Sequence, residues 1–177
     1  MNPAKRRVNL EVASIQNPQV RHFYSLYWPQ RQILYDFFSR LAEDQMDFRM
    51  VDRPDRKSDS PRESLAHILY VQLVYFNSLK TGMLEFKSQG VEHYWKMTQA
   101  QLLDEMDRID QEMLDYLNAE SFDSNQRVTV PWDGEMNTMD LIYFLRDHEI
   151  LHIGWNLALM DHLNVPRFES LIQYWGP

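Results

Sequence analysis

Apolar residues recur at intervals of three and four residues in four long stretches of the chain. This period is typical of α-helices that pack on a core. The predicted helices cover roughly residues 18–44, 61–81, 99–119 and 138–164. Since none of these stretches has the alternating pattern of a strand, we predict an all-α chain with the architecture of a four-helix bundle.

Capping residues mark the start of three of these helices. In the string SPRE, Ser60 is the predicted N-cap, Pro61 suits the first helical position, and Glu63 completes a capping box. The string TQAQ at 98–101 predicts a second capping box, and Asn137 is the predicted cap of the last helix.

One residue disturbs the pattern of the first helix. Pro29 lies inside it. A proline removes a backbone donor and clashes with the preceding turn, so it predicts either a kink or a helix that begins near Trp28.

The connections between the helices predict little regular structure. Residues 46–60 are polar and lack periodicity, so they are predicted to form a loop, whereas VTVPWDGEMN at 128–137 predicts a short extended piece or hairpin that turns at Gly134. Because no repeat and no linker divides the chain, we predict one domain over 1–177, with an ordered core of about 18–165 and a tail at 166–177.

Composition and charge narrow the class of protein. The chain has 177 residues, 44% of them hydrophobic and 25% charged, as in soluble globular proteins. It has no apolar run long enough to cross a membrane and no secretory signal pattern, so we expect a cytoplasmic protein without a membrane partner. A net charge of −8 and the lack of a basic stripe argue against nucleic acid as a partner. The absence of Cys excludes disulfides, thiolate ligands and a cysteine nucleophile.

Two histidines in the string RDHEILHIGW are the strongest candidates for chemistry. Positions 141, 145, 148, 152, 155 and 159 alternate in spacing between four and three, and all are apolar except His148 and His152. This spacing predicts that both histidines point into the bundle, where side chains four residues apart can converge on one ion. A single histidine there is more often a hydrogen-bonded core residue. Two adjacent buried histidines each need a polar partner, and one shared divalent cation can bind both imidazoles at once.

A third ligand is expected from another helix. His67, in the first turns of the second helix, is the best candidate, whereas His22 and His93 are expected to be exposed. His162 lies roughly 21 Å further along the last helix than His148 and cannot share its ion. Three histidines with one open position are typical of a catalytic metal site rather than a structural one.

The acidic residues beside the pair have two interpretations. Asp147 and Glu149 are expected to face solvent, and the alternative is that they orient an imidazole. The string from His148 to His152 also equals the His-Glu-x-x-His motif of zinc peptidases, in which Glu149 would be the general base. We disfavour a peptidase because the rest of the chain has the pattern of a plain bundle.

These strings resemble a known family. SPRESLAHI on the second helix, with HEILHIGW and LALMDHLNVP on the last, is similar to the DinB-like, or damage-inducible, family of metalloenzymes. Residues that match its pattern are His67, His148, Glu149, His152 and Gly154. The chain departs from the family at Leu151, where a further histidine is frequent, and at Trp155, which replaces a glutamine.

The resemblance implies a four-helix bundle with a divalent metal held by His67, His148 and His152. Zinc or nickel is the expected metal, and iron or manganese is the alternative. It also implies a homodimer and a metal-dependent enzyme of thiol S-transferase or isomerase type, or a hydrolase, with a low-molecular-weight thiol as cosubstrate. The alternative is a non-catalytic, stress-related protein that binds a metal or another ligand.

Overall fold

Four long α-helices form the body of the protein. A computed structural model describes residue 6 and residues 8–87, 90–132 and 134–176. The long helices are α1 Pro18–Arg40, α2 Pro61–Thr81, α3 Gln99–Leu117 and α4 Thr138–Leu163, and a short fifth helix, α5, spans Glu169–Trp175. Short 3₁₀ turns occur at Val12–Ser14, Glu43–Asp47 and Tyr94–Lys96. The predicted all-α bundle is thus confirmed.

The predicted helix starts are confirmed by the capping contacts. The Ser60 hydroxyl accepts from the backbone N–H of Glu63, while the Glu63 carboxylate accepts from the N–H of Ser60 at 2.8 Å. At the starts of α3 and α4, the side chains of Thr98 and Asn137 also accept hydrogen bonds from backbone N–H groups three residues further along. At the end of α2, Gly82 has a φ of 75°, a left-handed conformation that glycine adopts without the steric cost of a Cβ.

Of the two alternatives predicted for Pro29, the helix that begins near Trp28 was wrong. Helix α1 begins at Pro18 and continues through Pro29. It ends at Arg40, before the predicted end at Asp44. The carbonyl that loses its partner belongs to Ser25, which is exposed and can bond to water. Buried aromatic residues on both sides of the proline, including Phe23 and Phe37, pack each half of the helix into the interior of the bundle.

Two small antiparallel strand pairs connect the helices. β1 Asp52–Arg53 pairs with β2 Arg56–Lys57 in the stretch predicted as loop, where each strand has only two exposed residues. β3 Arg127–Val130 pairs with β4 Gly134–Asn137, which confirms the predicted hairpin. Val128 and Val130 on β3 are buried, so this hairpin covers one end of the core.

Each of the four long helices borders at least two others. Helix α1 contacts α3, α4 and α5, and α2 contacts α3 and α4. In the predicted tail, Phe168 and Leu171 are buried, whereas Tyr174 and Trp175 are exposed. Among the described helices, none combines the length and apolar character that crossing a bilayer requires.

A buried polar layer divides the core at mid-height. One apolar cluster includes Leu34 and Leu69 and the other includes Tyr27 and Phe76, so the division falls between residues 27 and 33 of α1 and at about residue 70 of α2. On each of the four long helices, a polar side chain that the structure buries lies at this division. These side chains are Arg31 on α1, Gln72 on α2, Asp110 on α3 and Glu149 on α4.

The Arg31 guanidinium joins the four members of this polar layer. It donates to Asp110 at 3.0 Å, to the Glu149 Oε1 at 3.1 Å and to the Gln72 side-chain oxygen at 2.8 Å. Gln72 in turn donates to Asp110 at 2.6 Å, and the Tyr27 hydroxyl donates to Glu149 at 3.0 Å. Arg31 and Glu149 are both 0% exposed, so the charges neutralise each other away from water.

The expectation that Glu149 faces solvent was therefore wrong. The buried stripe of α4 runs through Leu145, Glu149 and Ile153, which places the carboxylate inside the bundle. Burial raises the pKa of Glu149 to about 7, although Arg31 opposes this shift.

We expect Arg31→Met to lower the free energy of unfolding by about 3–5 kcal/mol, because it leaves the buried carboxylate of Glu149 without the cation that faces it. Asp110 keeps its ion pair with Arg6. Arg108→Met is the matched control. Arg108 also contacts two carboxylates, those of Glu105 and Glu112, but at the surface. Its loss should cost about 1 kcal/mol or less. Denaturant unfolding measures both, and equal effects of the two substitutions would contradict the structural role of the polar layer.

Candidate metal centre

Three imidazoles converge where α2 and α4 meet. The His67 Nε2 lies 3.1 Å from the His148 Nε2, and the His148 Nε2 lies 3.3 Å from the His152 Nε2. One ligand atom from each residue falls within 4.8 Å of the other two. The structure thus brings together the three histidines that the sequence singled out.

Helix packing explains this convergence. His148 and His152 occupy successive turns of α4 and share one face of it, as expected for residues four apart. His67 lies two turns after the start of α2, the helix that packs against this face. The site therefore joins two rigid elements rather than loops.

The depth of the site differs from the prediction. His148 and His152 were expected to point into the bundle, but they are only half-buried, and His67 is exposed. The reason is that Glu149, between Leu145 and Ile153, takes the central position of the buried face and leaves the two histidines at its edge. The site consequently reaches solvent.

The contacts around the His148 Nε2 fit a bound cation better than a hydrogen-bond pair. A neutral imidazole nitrogen has either one lone pair or one proton, so it cannot hydrogen-bond to both neighbouring Nε2 atoms at once. A single cation accepts a lone pair from all three. With Zn–N bonds of about 2.0–2.1 Å in tetrahedral geometry, ligand nitrogens lie about 3.3–3.4 Å apart. The observed separations of 3.1 and 3.3 Å are close to this value.

The electrostatics keep these imidazoles neutral. Burial, reinforced by the neighbouring imidazoles, lowers the pKa of His148 to about 4 and that of His152 to about 3. Burial also lowers the pKa of His67, although Asp59 opposes the shift. At neutral pH none of the three imidazoles therefore has a positive charge that would repel a cation.

The other histidines and Asp147, which the sequence analysis placed outside the metal site, lie away from it. His22, His93 and His162 are exposed, as is Asp147, whose carboxylate pairs with Arg146 at 3.3 Å. None of these four belongs to the histidine group found among the described residues. Leu151, at the position where a further histidine is frequent in the DinB-like family, is 74% exposed.

Sequence analysis missed one residue that contacts the site. Ser64, which is buried on α2, has its Oγ 3.2 Å from the Nδ1 of His152. The signal was present in the spacing, because Ser64 precedes His67 by three residues and therefore shares a face of α2 with it.

A four-helix bundle that presents three histidines from two of its helices defines a class of helical protein with a candidate divalent-metal site. The sequence profile of the DinB superfamily matches residues 29–155, more than half of the chain, and the chain belongs to this superfamily. The matched range contains His67, His148 and His152. None of the curated proteins compared with the chain matches it.

The lowered histidine pKa values predict a pH effect on the metal-free protein. The folded state resists protonation of His148 and His152, while the unfolded chain takes up protons near their ordinary pKa of 6.5. The stabilisation by these neutral imidazoles is therefore complete above about pH 6.5 and is lost as the pH falls towards 4 and below.

We expect the free energy of unfolding to fall more steeply between pH 6.5 and 4 in the wild type than in a His148→Gln, His152→Gln double variant. Denaturant unfolding in the presence of a chelator, repeated over this range, measures the difference. Other groups, including Glu149, titrate in both proteins and cancel in the comparison. Parallel pH profiles would show that the two imidazoles are not held neutral by the fold.

Proposed function

We propose that this protein is a divalent-metal-dependent enzyme of the thiol S-transferase or isomerase type, with His67, His148 and His152 as its metal ligands. The observation that carries the proposal is the convergence of three imidazole nitrogens at an edge of the bundle that reaches solvent. Membership of the DinB superfamily supports it independently.

The number and exposure of the ligands favour catalysis over a structural role. Structural zinc sites usually have four protein ligands, whereas catalytic sites keep a position for water or substrate. Here three histidines form the group among the described residues, and His67 is exposed. A small molecule can therefore approach the ligand atoms from solvent.

The donor set and the sequence suggest the kind of chemistry. Imidazole suits zinc and nickel, and also iron, with manganese as a further alternative. A bound divalent cation lowers the pKa of a coordinated thiol or water and so supplies a nucleophile near neutral pH. Because the chain has no Cys, a thiol nucleophile has to arrive as a cosubstrate.

A peptidase mechanism through the His-Glu-x-x-His string is not supported. In that mechanism the glutamate is a base that acts on water beside the metal. The Glu149 carboxylate is instead enclosed in the core and accepts from Arg31 and Tyr27. It lies away from solvent and is already engaged with the polar layer.

A groove along α2 offers room for a cosubstrate, and none of the three histidines is among the described residues that line it. It begins at Tyr70, one helical turn after His67, and follows α2 past Val74 and Asn77. Its volume of about 470 Å³ lies within the usual range of small-molecule sites. We propose this groove as the approach to the metal.

A homodimer and a cytoplasmic location stay predictions from the resemblance and the sequence.

Metal analysis tests the site itself. Protein purified without an affinity tag and loaded with zinc should retain about one ion per chain after gel filtration, measured by plasma mass spectrometry. His148→Ala should retain almost none, since two imidazoles rarely hold a labile cation. His162→Ala is the matched control on the same helix and should bind like the wild type. Equal metal content in all three proteins would end the proposal.

A thiol-transfer screen tests the reaction. Metal-loaded protein is mixed with glutathione, mycothiol or bacillithiol and a panel of electrophiles, and thiol consumption is followed. We expect turnover with at least one pair, its loss on chelation, and background rates for His148→Ala. Stoichiometric metal binding without turnover across the panel would instead favour the non-catalytic, metal-binding alternative.

A further inference from the structure

Ser64 is a buried hydroxyl in contact with the histidine group. It is 1% exposed, and its Oγ lies 3.2 Å from the Nδ1 of His152. The other ring nitrogen of His152 faces His148, with 3.3 Å between the two Nε2 atoms. The two nitrogens of this ring are therefore used separately, one towards Ser64 and one towards the candidate metal centre.

The two tautomers of His152 differ in what they present to a cation. A neutral imidazole has one N–H and one lone pair, on opposite nitrogens. When Nδ1 has the proton, it donates to the Ser64 Oγ, and the Nε2 lone pair faces His148 and His67. When Nε2 has the proton, the Ser64 hydroxyl donates to Nδ1, and no lone pair of His152 is available to a cation.

His148 provides a contrast within the same site. Its Nδ1 is buried and has no hydrogen-bond partner among the described residues. The surrounding side chains therefore do not select a tautomer for His148 through this atom. At His152 the Nδ1 does have such a partner, the Ser64 Oγ, which can either accept from this nitrogen or donate to it.

We propose that Ser64 is a positioning residue for the metal centre. Its Oγ accepts from the Nδ1–H of His152 and holds the tautomer and ring orientation in which Nε2 can bind a cation. The effect on affinity rests on the proposed function, whereas the tautomer is a property of the metal-free protein. Hydrogen bonds of this kind to ligand histidines typically contribute tenfold to a hundredfold in metal affinity.

Nitrogen NMR of the metal-free protein tests the tautomer. Long-range ¹H–¹⁵N spectra at about pH 8, where the imidazoles are neutral, distinguish a protonated Nδ1 from a protonated Nε2. The His152 signals are assigned by their loss in His152→Gln. We expect protonated Nδ1 in the wild type and a shift towards protonated Nε2 in Ser64→Ala. Protonated Nε2 in the wild type, or identical spectra in Ser64→Ala, would overturn the inference.

Zinc affinity, measured by competition with a chromophoric chelator, tests the consequence. Ser64→Ala should bind zinc tenfold to a hundredfold more weakly than the wild type. Ser78→Ala is the matched control, because Ser78 is equally buried on α2 but donates to the Tyr75 carbonyl, away from the histidines. It should bind like the wild type.

The outcomes separate the two hypotheses. Equal zinc affinity of Ser64→Ala and the wild type would overturn the positioning role and leave the metal site standing. Equal weakening by Ser64→Ala and Ser78→Ala would show a general loss of packing and would also overturn the role of Ser64. If the wild type bound no zinc, the proposed function would fail, and the NMR result would still decide whether Ser64 selects the tautomer of His152.

Discussion

The ion pairs of Arg31 are the interaction on which the arrangement of the four helices depends. A single guanidinium on α1 contacts acceptors on α2, α3 and α4, so all four long helices meet at one group. Its burial is tolerable because Asp110 and Glu149 supply the opposite charge and Gln72 satisfies a further donor. Sliding any helix by one turn would separate a buried charge from its partner. We infer that the polar layer sets the register of the bundle, while the apolar clusters above and below it supply most of the driving force.

The same layer sets the orientation of the candidate metal centre. Successive residues of a helix are about 100° apart, so His148 and His152 both lie on one side of Glu149, at roughly 100° and 60° from it. With Glu149 held inward by Arg31, both histidines must fall at the edge of α4 that faces α2. Gln72 fixes α2 in the same way and places His67 opposite them. The position of the candidate site therefore follows from a contact that none of its three histidines makes.

Sequence analysis predicted the parts of this arrangement that depend on local spacing. Periodicity and capping residues give the four helices, and the four-residue interval between His148 and His152 gives two converging side chains. The polar layer was not predictable in this way, because Arg31 and Glu149 are 118 residues apart and each resembles an ordinary surface residue on its own helix. Treating charged residues as solvent-facing also led to the wrong depth for the histidines. Pro29 is a further case in which local spacing was not sufficient. Packing on both sides of this proline outweighs its local tendency to interrupt a helix.

The burial of Glu149 also decides what the His-Glu-x-x-His string can do. In a peptidase, the histidines and the glutamate of this string face the same cleft, and the carboxylate acts on water there. In this bundle α4 is rotated so that the histidines face the edge and the carboxylate faces Arg31. Within this string, His148 and His152 belong to the candidate metal site. Glu149 instead holds α4 in place through its ion pair with Arg31. Glu149 is consequently not the base. Under the proposed function, activation of a nucleophile would depend on the cation that the three histidines would hold.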